Sequence, residues 1–212
     1  MTLELHVYSL ITDTCASDVK LYNSHHNAVA TSEMAVALFL AAAKRVPEAD
    51  KQLRLGDWRG RGFRSPDRRI PQMMLQRKTA LVLGYGNIGR RVARVLSALG
   101  MKVVATRRNA TEPRNDDVAT VHPAGDLHAL LPSAHALIIC VPGVPSTANL
   151  IAGPELALLP HGAVIVNVGR GSVVCEDDLY EALSDPERGL AAGQTMRSPP
   201  LENFPIDYTD GK

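Results

Sequence analysis

The sequence has few of the features that mark secreted, membrane-spanning or nucleic-acid-binding chains. Its three cysteines, Cys15, Cys140 and Cys175, are odd in number and lack C-x-x-C spacing, which argues against a disulfide framework and predicts a reducing, cytoplasmic compartment. A formal net charge of +1 argues against a dedicated nucleic-acid-binding protein. The longest apolar run, 34–43, is too short to span a bilayer, and residues 1–12 lack a signal peptide's basic region and cleavage site, so no membrane association is predicted.

The composition fits one soluble α/β core. The 212 residues are 45% hydrophobic, enough for a single main domain with a small appendage. We predict no metal site. Residues 59–71 carry five arginines against one aspartate and have no hydrophobic period, so they predict a loop. This loop is either an RNA-binding segment or a solvated connector, and the second interpretation is favoured because Phe63 is the one aromatic residue among the arginines.

A glycine-rich turn between two regular elements is the most informative stretch. Residues 79–83 form a short apolar run typical of a buried parallel strand, and G-x-G-x-x-G follows at 84–89. Gly100 is suited to end the next helix, and 101–106 predicts the second strand of a βαβ unit. The helix between them has one predicted apolar face, made of Ile88, Val92, Val95, Leu96 and Leu99. We therefore predict a Rossmann-type doubly wound parallel sheet.

The three glycines have distinct expected tasks in a dinucleotide site. Gly84 permits the tight turn, Gly86 lets a pyrophosphate approach the backbone, and Gly89 lets the helix pack close to the strand. The N–H groups at the helix start, together with the positive end of its dipole, would face the phosphates. The alternative is a glycine turn that binds no ligand, and the flanking strands and helix favour the dinucleotide.

The end of the second predicted strand bears on which dinucleotide binds. An acidic residue normally accepts the adenosine ribose hydroxyls there, but this chain has Arg107 and Arg108. An acid would repel a 2′-phosphate, whereas a guanidinium can hold it through two charge-assisted hydrogen bonds. The sequence thus favours NADP. The alternative is that both arginines are solvated and that NAD binds without an acid.

Further helices and strands extend the pattern on both sides. Thr31 is a candidate N-cap for an apolar helix to about Lys44–Arg45, and Pro47 opens a second helix, giving a helical arm over 31–58. Beyond Arg108, residues 109–123 are polar and predict a loop. The remaining predictions are helices at 126–131, at 154–159 and from Glu176, with buried strands at 136–141 and 163–167.

Three motifs together resemble the D-isomer-specific 2-hydroxyacid dehydrogenases. They are Gly84-Tyr-Gly-Asn-Ile-Gly89, Val141-Pro142 through Thr147 to Ile151, and Asn167-Val-Gly-Arg-Gly171 followed by Leu179-Tyr-Glu-Ala-Leu183. The resemblance covers roughly 23–193. It implies an NAD(P)-binding domain over 28–193, and hydride transfer between a nicotinamide and a small 2-oxo or 2-hydroxy acid.

The resemblance also implies roles for particular residues. Arg170 matches the catalytic arginine, a permanently charged fork that can bind a substrate carboxylate or keto oxygen. The helical arm resembles the region through which such domains pair, so a homodimer is expected. The implied cofactor-binding residues are Gly84, Tyr85, Gly86, Asn87, Ile88, Gly89, Arg107, Arg108, Val141, Pro142 and Val168.

The two ends of the chain depart from the family pattern. Residues 1–27 could supply only a remnant of the substrate lobe, and 194–212 match nothing in the family, so we expect a truncated or frame-altered product with a disordered tail. The proton-donating histidine and its acidic partner should follow residue 193. Two functions stay open: a 2-hydroxyacid oxidoreductase, or an NADP-binding module without turnover. All seven histidines precede Arg170: His6, His25, His26, His122, His128, His135 and His161.

Overall fold

A computed structural model of the protein describes residues 26–57, 72–185 and 187–194. The interpretations of residues 1–25, of the basic loop at 59–71 and of the tail from 195 lie outside these ranges. The described helices are α1 (Ala28–Ala43), α2 (Val46–Arg54), α3 (Asn87–Ala98), α4 (Leu127–Leu130), α5 (Gly153–Leu158) and α6 (Glu176–Ser184). The described strands are β1 (Thr79–Leu83), β2 (Lys102–Arg107), β3 (Arg114–Asn115), β4 (Thr120–Pro123), β5 (Ala136–Ile139), β6 (Val164–Asn167) and β7 (Ala191–Gln194).

The described strands form one sheet in the order β3-β4-β2-β1-β5-β6-β7. Every pairing is parallel except that of β3 with β4, which confirms the predicted Rossmann-type doubly wound fold. The register places Leu83 beside both Thr106 and Ile139, and Ile139 beside Asn167. The four central strands therefore end side by side, and the loops that follow them share one edge of the sheet.

Helices cover both faces of the sheet and divide the core into two clusters. On one face, α1 and α3 bury Phe39, Val92 and Leu96 against the strands. On the other, α5 and the segment around α4 bury Leu156 and Leu131. Because both faces are covered, β1 is apolar from Ala80 onward and β5 along its whole length, as a two-sided core requires.

Two predictions about the strands were wrong. Residues 109–123 were predicted to be a loop, but β4 pairs with β2 there and β3 lies outside β4. β4 lies near the edge of the sheet, and Val121 is its one fully buried residue. The sequence of β4 therefore lacks the continuous apolar run that marks the central strands. The predicted tail began at Gln194, yet Gln194 pairs with Asn167 as the last residue of β7.

Two predictions about the helices also need correction. The first helix begins at Ala28 rather than after Thr31, with Asn27 as its N-cap. The predicted apolar face of α3 included Val95 and Leu99, but these side chains are 42% and 38% exposed. The buried stripe instead runs through Gly89 and Ala93, whose small size lets the helix lie close to the sheet.

The start of α6 lacks a side-chain cap, which gives a stability prediction. Cys175 occupies the N-cap position in an extended conformation without a capping hydrogen bond from its side chain. In Cys175→Ser, a hydroxyl of similar size can accept from a first-turn N–H, which should stabilise the protein by about 1 kcal/mol and raise the melting temperature by roughly 2–4 °C. Thermal denaturation followed by circular dichroism measures this. Cys175→Ala is the control and should show no gain; equal melting temperatures for the two variants would contradict the prediction.

None of the helices in the described ranges has both the length and the hydropathy needed to cross a membrane.

Candidate functional site: the carboxyl edge of the parallel sheet

The turn after β1 has the conformation that its glycines predict. Gly84 has φ +102°, and the N–H groups of Gly84 and Tyr85 donate to the carbonyl of Thr106 at 3.2 and 2.9 Å, which ties the turn to the end of β2. A Cβ on Gly89 would overlap the carbonyl oxygen of Gly84. Gly89 therefore has to be glycine so that α3 can start directly against this turn.

The amino end of α3 is open, as a dinucleotide site requires. Gly86 is its N-cap and no side chain caps it, so the N–H groups of the first turn keep their capacity to bind an anion. A Cβ on Gly86 would meet no atom of the described residues within 4 Å. The space beside the backbone is thus free at the point where a pyrophosphate would approach, and Gly84–Gly89 fit that group.

Tyr85 joins the glycine turn to the edge of the sheet, a connection that the sequence did not reveal. Its side chain is buried, with 2% exposure, and hydrogen-bonds Asp116. The guanidinium of Arg90 lies 5.2 Å from the Tyr85 ring centre and 3.9 Å from the Asp116 carboxylate. Burial and the Asp116 contact raise the pKa of Tyr85 to about 12, so it stays a neutral hydrogen-bond donor.

Arg107 and Arg108 lie where the sequence placed them, at and just after the end of β2. Both side chains are exposed. Neither forms an ion pair with a residue in the described ranges, and Asp116 is held by Tyr85 and Arg90. Two cationic groups are therefore available beside the glycine turn.

The segment after β5 is fixed by a threonine. The Thr147 hydroxyl donates to the Pro142 carbonyl at 2.6 Å and accepts from the Val144 N–H at 3.0 Å. These two bonds hold Val141-Pro142 and the following Gly143 in a defined path along the edge. The predicted wall residues are therefore beside the end of β1, which pairs with β5.

Asn167 holds the segment after β6, which carries Arg170. Its buried side-chain amide accepts from the Gly169 N–H at 2.9 Å and donates to the Arg170 carbonyl at 2.9 Å. The Arg170 guanidinium donates to the Gly169 carbonyl at 3.1 Å. Val168 is buried, and its N–H donates to the Ile139 carbonyl at 3.0 Å, which continues the pairing of β6 with β5 by one residue.

The structure thus gathers every predicted site residue along one edge of the sheet, at the ends of β1, β2, β5 and β6. Ligands bind at this edge in doubly wound sheets. Sequence reasoning missed the supporting residues Asp116, Gly143 and Gly169, and it gave Asn167 no role. In the described part of the chain, no three His, Cys, Asp or Glu side chains are close enough to hold a metal ion.

A glycine turn opening a helix between two parallel strands, with its anion-binding end uncovered, defines a dinucleotide-binding Rossmann domain. The family described as D-isomer specific 2-hydroxyacid dehydrogenase, NAD binding domain, matches residues 36–206. The match continues past residue 193 into the tail, for which no resemblance to the family was expected. The chain belongs to this family and represents its nicotinamide dinucleotide-binding part.

Individual relatives show how much of a complete enzyme is represented. The chain is 34% identical over 200 residues to a glyoxylate reductase from Aeropyrum pernix, covering 91% of this chain and 58% of the relative. It is 32% identical over 181 residues to a D-3-phosphoglycerate dehydrogenase from Archaeoglobus fulgidus, covering 85% and 33%. A glycerate dehydrogenase related protein from Thermoplasma acidophilum has a similar structure, with a TM-score of 0.72 at 26% identity, covering 95% and 66%. The chain spans less than two thirds of the length of the glyoxylate reductase and of the D-3-phosphoglycerate dehydrogenase.

Proposed function

We propose that this protein is the cofactor-binding part of a 2-hydroxyacid dehydrogenase and that it binds NADP in preference to NAD. The observation that carries the preference is the pair of exposed arginines, Arg107 and Arg108, at the end of β2 where an acid would serve NAD. A guanidinium fits a phosphate dianion through two parallel N–H···O bonds, and no described acid neutralises these two groups.

Isothermal titration calorimetry of the full chain with NADP and with NAD tests this function. NADP should bind about tenfold more tightly or better, because even one net charge-assisted hydrogen bond is worth ~1.5 kcal/mol. Equal affinities would contradict the preference while leaving the dinucleotide site in place. Failure to bind either cofactor would contradict the site itself.

Arg170 is the proposed contact for the substrate. A nicotinamide bound here would supply the hydride chemistry. Arg170 would orient a 2-oxo acid by its carboxylate or keto oxygen and would stabilise negative charge that develops there. Asn167 fixes the Gly169 N–H and the Arg170 carbonyl, and the guanidinium donates to the Gly169 carbonyl, so the Arg170 side chain is held on a rigid base. Such rigidity is what a group acting by position requires.

A second candidate function is dinucleotide binding without turnover. The observation that favours it is that the chain spans only 58% of the glyoxylate reductase that it resembles, so the described site edge belongs to the dinucleotide-binding part. Transfer of hydride to a ketone also requires a proton at oxygen, and loss of a general acid lowers such rates by about 10²–10⁴.

Turnover of glyoxylate with NADPH, followed at 340 nm, distinguishes the two candidates. We expect the full chain to be near the uncatalysed background and Arg170→Ala to cause no further decrease. Robust turnover that Arg170→Ala abolishes would instead favour the oxidoreductase and would show that another group delivers the proton.

The helical arm is the proposed dimer interface. Apolar side chains that project from α1 and α2 away from the core include Met34 and Leu53, which are 50% and 45% exposed. Met34→Glu should shift the protein from dimer to monomer in light scattering after size-exclusion chromatography, because a charge would be buried in the contact. Leu158→Glu is the control on the opposite face of the sheet and should leave the dimer intact. A monomeric wild-type protein would contradict the proposal.

A further inference from the structure

The loops after β1, β5 and β6 touch one another through glycines at the site edge. A Cβ on Gly84 would lie 2.9 Å from Val141 Cγ1, and a Cβ on Gly169 would overlap the Val141 carbonyl oxygen. The third contact joins Gly143 to Arg170. The loop after β5 therefore packs closely against both the glycine turn after β1 and the segment after β6 that carries Arg170.

Gly143 lies directly against the aliphatic stem of Arg170. A Cβ at position 143 would be 2.7 Å from Arg170 Cβ and 2.8 Å from Arg170 Cγ, distances at which one of the two groups must move. The backbone itself does not require glycine, because Gly143 is not among the described residues with positive φ. Glycine at this position therefore leaves space chiefly for the Arg170 side chain, and also for the Ser172 hydroxyl, whose Oγ would lie 3.2 Å from such a Cβ.

Neither backbone is free to relieve such a contact. Thr147 holds the residues on both sides of Gly143 through the Pro142 carbonyl and the Val144 N–H. Asn167 holds the Arg170 carbonyl, and Gly169 is packed against Val141. The remaining freedom is rotation about the side-chain bonds of Arg170, which would swing the guanidinium away from its present direction.

We propose that Gly143 is a positioning residue that directs Arg170 toward the anionic group of the substrate. This proposal rests on the proposed role of Arg170 in binding a 2-oxo acid. The absence of a side chain at position 143 leaves the space that the Arg170 stem occupies, and this space determines where the guanidinium lies. Gly143 itself contacts no substrate atom in this assignment.

Oxalate titration of the NADP-loaded full chain by calorimetry tests the proposal, with oxalate as a small dicarboxylate probe. Gly143→Ala should weaken oxalate binding by about tenfold or more and change NADP affinity by less than about twofold, because only the guanidinium is displaced. In an Arg170→Ala background, Gly143→Ala should cause no further loss, since the two residues act through one contact. Gly125→Ala is the matched control, because a Cβ there meets no atom within 4 Å.

The outcomes separate this proposal from the proposed function. If Arg170→Ala weakens oxalate binding but Gly143→Ala does not, Arg170 keeps its role and the positioning role of Gly143 is wrong. If the wild-type protein binds no oxalate, both are wrong. If Gly143→Ala does not fold, the triple variant Gly143→Ala/Arg170→Gly/Ser172→Ala removes the two Arg170 atoms and the Ser172 Oγ that the new methyl group would meet. Recovery of folding and NADP binding then supports the contact, and continued misfolding overturns it.

Discussion

Arg107→Asp is expected to reverse the dinucleotide preference, with NADP affinity falling by roughly 100-fold. Arg107 ends β2 with an exposed side chain that pairs with no described acid, so its guanidinium is available to a 2′-phosphate. Loss of two charge-assisted hydrogen bonds, each worth ~1.5–3 kcal/mol, is enough for this decrease even before repulsion by the new carboxylate is counted. The same carboxylate can accept the ribose hydroxyls of NAD, so NAD affinity should be maintained or rise.

The control for this variant lies on the same strand. Lys102→Asp reverses a charge at the other end of β2, about 16 Å away at the usual rise per residue, and it should leave both affinities unchanged. Calorimetric titrations with each cofactor measure the effect. If NADP binding survives Arg107→Asp, then Arg107 does not contact the 2′-phosphate, and the double variant with Arg108→Asp shows whether its neighbour does.

The centre of the fold could be predicted because its signals are local. Residues 80–83 are apolar throughout because both faces of β1 are buried there. The glycines at 84–89 serve a turn and a helix start contained within that short stretch. The edge of the sheet gave no such signal. β4 has one fully buried residue and its neighbour β3 is two residues long, so their pairing depends on contacts that no periodicity records.

The supporting part of the site could not be predicted for a related reason. Arg170 was identified from its motif, but its contact with Gly143 joins loops that follow two different strands. The hydrogen bond between Tyr85 and Asp116 likewise joins the glycine turn to the segment between β3 and β4. These contacts exist only once the register of the parallel strands brings their carboxyl ends together.

Gly86→Val is expected to abolish binding of both dinucleotides while leaving the domain folded. Gly86 has an extended backbone, with φ −100° and ψ −156°, so no positive φ reserves the position for glycine. Within the described ranges the added Cβ meets no atom closer than 4 Å, so the side chain would occupy the space left for the pyrophosphate. We expect NADP and NAD affinities to fall by about 100-fold or more, and the free energy of unfolding to change by only about 1 kcal/mol from the poorer N-cap.

Gly89→Ala should differ from Gly86→Val in that it destabilises the fold itself. Its new methyl group would overlap the Gly84 carbonyl, so α3 could no longer start against the turn, and urea denaturation should show a loss of several kcal/mol together with lost cofactor binding. The Gly86 variant thus tests whether a ligand occupies the space beside the turn, whereas the Gly89 variant tests packing within the protein. A Gly86→Val protein that still bound NADP with wild-type affinity would show that the cofactor does not approach this turn, and the assignment of Gly84–Gly89 to the pyrophosphate would be wrong.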